Sequence, residues 1–262
     1  MRHAEKRRSC VHSDFAERVA EAALAAYRAL PPSAAEERGA QPVVAAFVLE
    51  PPDGGELTVV SLGAGTRFSC TGKADEPRDG HAEVVARRGL KRFLGRVLRG
   101  DAGVQQWPDL IDGRGEFVGG LHLYVSSCPC GNAVSEPPRY NAAGVRIDAV
   151  ADANGRDAGQ AYAQHAPLSF ASVPADVSAA PKFDKIGAPL SCSDKIATWS
   201  CVGVQGARLL GPGLLEGPVY LRSVVVGRKF NARRLRRAAC CRVRNFETPP
   251  FKCHHPAVLG EH

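Results

Sequence analysis

Apolar residues along this chain follow two rhythms. In SDFAERVAEAALAAYRALPP (13–32), Phe15, Val19, Ala22, Ala26 and Leu30 recur every three or four positions. Asp14 stands three before Glu17, as in a capping box, and Pro31–Pro32 stop the run, so an amphipathic helix is predicted. VVAAFVLE (43–50) and LTVVSLG (57–63) are short β-branched runs joined through PPDGG, which predicts a hairpin. GTRFSCTGKADEPRDG (65–80) reads as loop, and a helix is predicted over 81–99. LHLYVSS (121–127) reads as a buried strand, after which CPCGNAV turns into a further helix. SCSDKIATWSCVGVQGARLL (191–210) is again helical, with Ile196, Trp199, Val202, Gly206 and Leu209 on one face and Gly203 and Gly206 permitting close packing. PVYLRSVVVG (218–227) is another buried strand. Residues 1–12 read as a loose basic arm, and 135–190, rich in Ala, Pro, Gly and Asp, as a variable insertion. The remainder, 13–262, forms one domain, an α/β sandwich around a single sheet.

Composition narrows the partner. The formal charge of +7 over 262 residues suggests an anion, either nucleic acid or an acidic membrane surface. No apolar run approaches the ~20 residues of a transmembrane helix, so the chain is not expected to span a membrane. MRHAEKRRSC is basic but lacks the apolar core of a secretory signal. The nine cysteines are therefore expected as thiols, some holding a metal, in a cytoplasmic or nuclear protein.

Three stretches place metal-binding donors at predicted helix starts: HAE (81–83), PCG (129–131) and SCSDK (191–195). Zinc takes imidazole nitrogen and thiolate sulfur in tetrahedral array, and a catalytic site keeps three protein ligands. A helix N-terminus favours the thiolate that binds metal. His81, Cys130 and Cys192 supply one nitrogen and two sulfurs, while Glu83 is placed to move a proton from a metal-activated water to a leaving amine. A histidine two before a glutamate is usually a detail of core or surface; the ordered recurrence of three such stretches is what turns it into a site. The zinc-deaminase signature H-x-E…P-C-x-x-C is only half met, because Ala133 stands where its second cysteine would. The third ligand must come from elsewhere, and Cys192 is the best candidate. Cys128 competes with Cys130 in CPC, whereas Cys70 and Cys201 are read as buried thiols and the neighbours His254 and His255 as incidental.

DGHAEVVARR, SSCPCGNA, LSCSDKIATWSCVGVQGARLL and PVYLRSVVVG resemble the editase domain of the RNA adenosine deaminases, from about residue 14 to 258. The resemblance implies a cytidine-deaminase-like α/β/α sandwich around one mixed sheet. It also implies zinc on His81, Cys130 and Cys192, with Glu83 as proton shuttle in the hydrolytic conversion of adenosine to inosine. Arg87, Arg88, Lys195 and Trp199 match positions that surround inositol hexakisphosphate in some members, and Asp79 and GTR (65–67) match further family positions. Asn132, Thr198 and Arg78 depart from the usual residues. The chain ends soon after HHPAVLG, where typical members continue through a lysine-rich segment that supplies many polyphosphate contacts, which weakens the expectation of that ligand.

Eight Arg or Lys residues fall within 228–244, among them Arg233, Arg234, Arg236 and Arg237. They form either a solvated helix face or a patch that tracks phosphates. The domain begins close to the first residue, leaving no room for a double-stranded-RNA-binding module, so the expected substrate is tRNA, at the position 3′ of the anticodon. A double-stranded-RNA editor and a catalytically inactive RNA-binding pseudo-deaminase are the alternatives. No obligate protein partner and no membrane are expected.

Overall fold

The structure, a computed structural model, describes residues 2–32, 42–68, 79–104, 107, 109–131, 133–134, 191–241, 243 and 246–261. The expected insertion at 135–190, together with Cys70, Arg78 and Asn132, lies outside the described residues.

Helix α1 runs Arg2–Arg28. The loose arm expected at 1–12 and the cap expected at Asp14 are therefore corrected: the helical backbone passes through both. No glycine or proline interrupts these residues, and an acid three positions before a glutamate occurs inside a helix as readily as at its start. Ser13 Oγ lies 3.4 Å from Glu17 Oε1, a neighbour one turn on. Ala16, Val19, Ala20 and Ala23 form the buried stripe, a slight rotation from the predicted face, and Leu30 beyond the helix end is exposed.

The hairpin is present as β1 (Val44–Glu50) and β2 (Thr58–Ala64), antiparallel with an irregularity at Phe47/Val48. β1 also pairs antiparallel with β5 (Gly120–Ser127). β5 then pairs in parallel with β6 (Ser223–Arg228), and β6 in parallel with β9 (Ala257–Gly260). The result is one mixed sheet of order β2-β1-β5-β6-β9. Alternation along β1 sorts its two faces. Ala46 and Val48 pack under α1 with Tyr124 and Val225, whereas Ala45, Phe47 and Leu49 join Leu121, Leu123, Val125, Val224 and Val226 on the opposite face. There they meet α2 (Ala82–Leu98) through Ala82, Ala86 and Leu90, and α3 (Cys192–Val202) through Ile196 and Trp199. The sandwich implied by the resemblance is the architecture observed.

Three local expectations differ. Within the presumed loop 65–80, β3 (Thr66–Phe68) and β4 (Asp79–His81) form a small antiparallel ladder, with Thr66 opposite His81. Residues 128–131 and 133–134 form an irregular loop with no helix, and any helix beyond them falls outside the described residues. α3 stops at Val202 because Gly203 adopts φ 76°, a left-handed conformation that ends a helix, and only a 3-10 turn follows at Ala207–Leu209. Gly203 ends the helix and Gly206 opens the turn, and both also permit close packing as expected, since a Cβ at Gly203 would run into the Gln205 side chain and one at Gly206 would lie 3.3 Å from Lys91 Cδ. Downstream lie α4 (Ala232–Arg236), a π turn (Arg237–Cys241) and a two-stranded ladder of β7 (Glu247–Thr248) and β8 (Phe251–Lys252).

The placement of α2 depends on Gly63 in β2. A Cβ there would lie 2.6 Å from the Ala86 backbone nitrogen and collide with the Ala82 carbonyl oxygen, both rigid backbone atoms. Gly63→Ala is expected to cost about 1–3 kcal/mol, the range for overpacking a close-packed interior, read as a lower urea midpoint. An unchanged midpoint would mean that α2 does not lean on β2 at this point.

Candidate metal centre

The donors converge because several chain ends meet at one edge of the sheet. Val44 pairs with Ala64 and Ala45 with Val125, so the C-terminal ends of β2 and β5 lie together. From β2 the chain turns at Gly65, whose N–H donates to Val43 O at 2.9 Å and whose carbonyl accepts from Ala82 N at 3.0 Å. That contact seats the first turn of α2, with His81 as its N-cap residue. From β5 the chain passes through Cys128 and Cys130 to the N-terminus of α3. Ser193 N–H donates to Cys130 O at 3.0 Å, Cys192 N–H to Cys130 Sγ at 3.3 Å, and Ala133 N–H to Ser193 Oγ at 3.1 Å. Gly131, at φ 92°, lets the loop come this close, since a Cβ there would run into the Ser191 side chain.

α3 starts sharply because Ser191 and Asp194 cap it reciprocally. Asp194 N–H donates to Ser191 Oγ at 3.3 Å, and Asp194 Oδ2 accepts from Ser191 N–H at 3.0 Å. Cys192 thereby occupies the first helical position, where the helix dipole favours a thiolate.

The structure brings His81, Cys130 and Cys192 together, with ligand atoms all within 4.8 Å of one another. One imidazole and two thiols suit zinc. Glu83, 3% exposed, sits on the inner face of α2 beside them, close enough to interact with the Cys192 thiol. Cys128 is not in this trio: its thiol is directed to Ala133 O at 3.4 Å, and burial pushes its pKa up to about 11.

Asp79 organises the histidine. Its Oδ1 lies 2.9 Å from His81 Nδ1 and accepts from His81 N at 3.2 Å, while Oδ2 accepts from Lys195 Nζ at 2.5 Å. A carboxylate only accepts, so Nδ1 carries the proton and Nε2 keeps a lone pair for a metal. Burial opposes ionisation of Asp79, but the hydrogen bonds from His81 and Lys195 outweigh it and hold the carboxyl well below the usual carboxylate range. The same bond to Asp79 raises His81, and burial raises Glu83. The hydrogen bond between the two thiols favours one shared proton, lowering Cys130 and raising Cys192.

Lys195 thus acts through Asp79. Arg88 Nη1 donates to Asp79 O at 3.0 Å. Arg87 Nε donates to Val204 O at 2.8 Å, and its guanidinium lies 5.1 Å from the centre of the Trp199 ring. Burial lowers the Arg87 pKa to about 10. Sequence reasoning missed the bridging role of Asp79 and the capping pair Ser191–Asp194. The signals were an acid two before the histidine and the S-x-x-D spacing in SCSD. Along the basic run, Arg233 and Arg236 are exposed, while Arg234 and Arg237 are half-buried. Lys229 and Arg234 lie near enough to Cys128 to stabilise its thiolate, which sets the start of the run beside the Cys130 loop.

The mixed sheet and the helices that deliver these donors define a cytidine-deaminase-like α/β domain. The adenosine-deaminase (editase) domain model matches residues 61–261, and the chain belongs to that family. It is 31% identical to the double-stranded RNA-specific adenosine deaminase of Rattus norvegicus, over 82% of this chain and 20% of that protein. It is 30% identical to tRNA-specific adenosine deaminase 1 of Drosophila melanogaster, over 79% of this chain and 53% of that protein. A 62-residue stretch is 42% identical to human tRNA-specific adenosine deaminase 1, covering 23% of this chain and 12% of that protein. The chain thus spans about a fifth of the rat relative and about half of the fly one.

Asp79→Asn keeps the shape but removes the charge that both His81 and Lys195 use. Loss of such a partner behind a ligand weakens metal affinity by about 10–100-fold. Competition with a chromophoric chelator should show that drop in zinc retention; parent-like retention would mean that Asp79 does not orient the imidazole.

Proposed function

We propose that this chain is a zinc-dependent deaminase that converts adenosine to inosine in tRNA, at the base 3′ of the anticodon. The observation that carries the reading is the convergence of His81, Cys130 and Cys192 on the buried Glu83. Zinc held by that trio supplies the Lewis acidity that makes water nucleophilic near neutral pH. Glu83 takes a proton from the water that attacks C6 of the adenine and delivers it to the exocyclic nitrogen, so the C6–N bond breaks and ammonia leaves. Burial suits the carboxyl to this shuttle by making its protonated form accessible. Asp79 and Lys195 hold His81 in one tautomer.

Adenine reaches such a centre only outside a base stack, and a loop base meets that condition at small cost. The basic run beside Cys128 supports RNA binding: Arg233, Arg234, Arg236 and Arg237 contact phosphates and position the loop without reading its sequence. The tRNA assignment is supported by the likeness to the fly tRNA-specific enzyme, 30% identical over 79% of this chain.

Incubating the zinc-loaded protein with transcribed tRNAs and with long duplex RNA, then quantifying inosine by mass spectrometry, tests the substrate. Inosine 3′ of the anticodon is expected. Inosine in duplex RNA alone overturns the tRNA reading, and none in either overturns the activity. Glu83→Gln should retain zinc yet lose about 10²–10⁴-fold in rate, the usual contribution of an acid–base group; deamination at the parent rate would exclude Glu83 as the shuttle. Replacing Arg233 and Arg236 by alanine should reduce the slope of log affinity against log salt by about one to two, as for one or two lost phosphate contacts. An unaltered slope returns these arginines to the solvated surface.

A further inference from the structure

Among the described residues a second trio of soft donors meets the same geometric condition as the first. Cys240 Sγ, Cys241 Sγ and a ring nitrogen of His255 lie within 4.8 Å of one another. The adjacent histidines do point apart, and that divergence creates the cluster. His254 stacks on Tyr220, with ring centres 5.1 Å apart and planes at 12°, while His255 faces the paired cysteines.

Two consecutive cysteines in an α-helix would splay by about 100° around the axis. Here they end a π turn, Arg237–Cys241, a local widening that is frequent at functional sites, and their sulfurs are 3.6 Å apart. Two bonds of about 2.3 Å at a tetrahedral zinc span roughly 3.8 Å between sulfurs, so this pair is spaced to share one ion. Two thiolates balance a divalent charge, and a neutral imidazole completes a borderline-soft donor set. Cys241 and His255 are exposed, which gives an ion a path in from solvent.

We propose that Cys240, Cys241 and His255 form a second zinc site, separate from the deaminase centre, that fastens the π turn to β9. Among the described residues β9 is an edge strand paired with β6 alone, and His255 stands two residues before it, so the ion anchors the strand where it joins the sheet. The cluster lies behind the far end of α3, where Cys201 and Val202 pack with Val243, Phe246, Phe251 and Cys253. Cys192 is nine residues away along that helix, roughly 14 Å at 1.5 Å per residue, so the two sites do not share a ligand.

Zinc stoichiometry of the full chain after gel filtration tests this without reference to activity. Two equivalents are expected for the parent protein and one for Cys192→Ser. Cys241→Ser and His255→Asn should each give one, and either combined with Cys192→Ser should give none. Both replaced side chains are exposed, so the parent's thermal melting should persist in zinc-free buffer and confirm that the variants fold. On adding zinc, amide exchange over 253–260 should slow in the parent and not in His255→Asn. A single equivalent in the parent, abolished by Cys192→Ser, overturns the proposal. Loss of the second equivalent in Cys241→Ser but not in His255→Asn overturns it as well, since zinc would then be adhering to a surface thiol.

Discussion

The hydrogen bonds that clamp the Cys130 loop to the first turn of α3 are the contacts on which the site depends. Cys130 and Cys192 are 62 positions apart, and most of the intervening chain lies outside the described residues. No local propensity can hold two thiols in one coordination sphere across such a distance. Cys130 O and Sγ do so by accepting the N–H groups of Ser193 and Cys192, which would otherwise be unpaired at a helix start. The same bonds satisfy a helix terminus and juxtapose two sulfurs. They form only because Ser191 and Asp194 fix where the helix begins.

The histidine arrives by a different route. α2 is seated by β2 through Gly63 and by Gly65 through its carbonyl, so His81 is set by a helix that the sheet itself holds in place. Asp79 then ties this part of the site to the other, reaching His81 on its own strand and Lys195 on α3. A negative charge between a ligand and a lysine lets two elements 116 positions apart in sequence share one electrostatic contact. Because the pair is partly buried, its charges are less screened than an exposed pair would be.

Much of this was legible in the letters. β1 and β2 follow from β-branched runs around PPDGG, and α2 from its apolar spacing. HAE, PCG and SCSDK name the residues that the fold gathers. Harder to read were features set by partners distant in sequence or by backbone angles. β3 pairs with β4 across ten residues outside the described structure, so 65–80 looks like loop by pattern. The helical rhythm of 191–210 continues past Val202, but positive φ at Gly203 ends the helix regardless of where apolar residues fall. Asp79 was visible only as a family match, because its role needs Lys195, 116 positions away. His255 was set aside since adjacent histidines diverge, a correct premise that said nothing of what each would face.

The fit between Gly131 and Ser191 has an evolutionary consequence. A methyl group at 131 would collide with both Cβ and Oγ of Ser191, and the φ of 92° strains any side chain there even with space cleared, so removing the helix cap at 191 would not by itself admit alanine. Glycine is therefore held at 131 through descent by the bend of its own backbone as much as by its neighbour, whereas position 191 answers only to the cap.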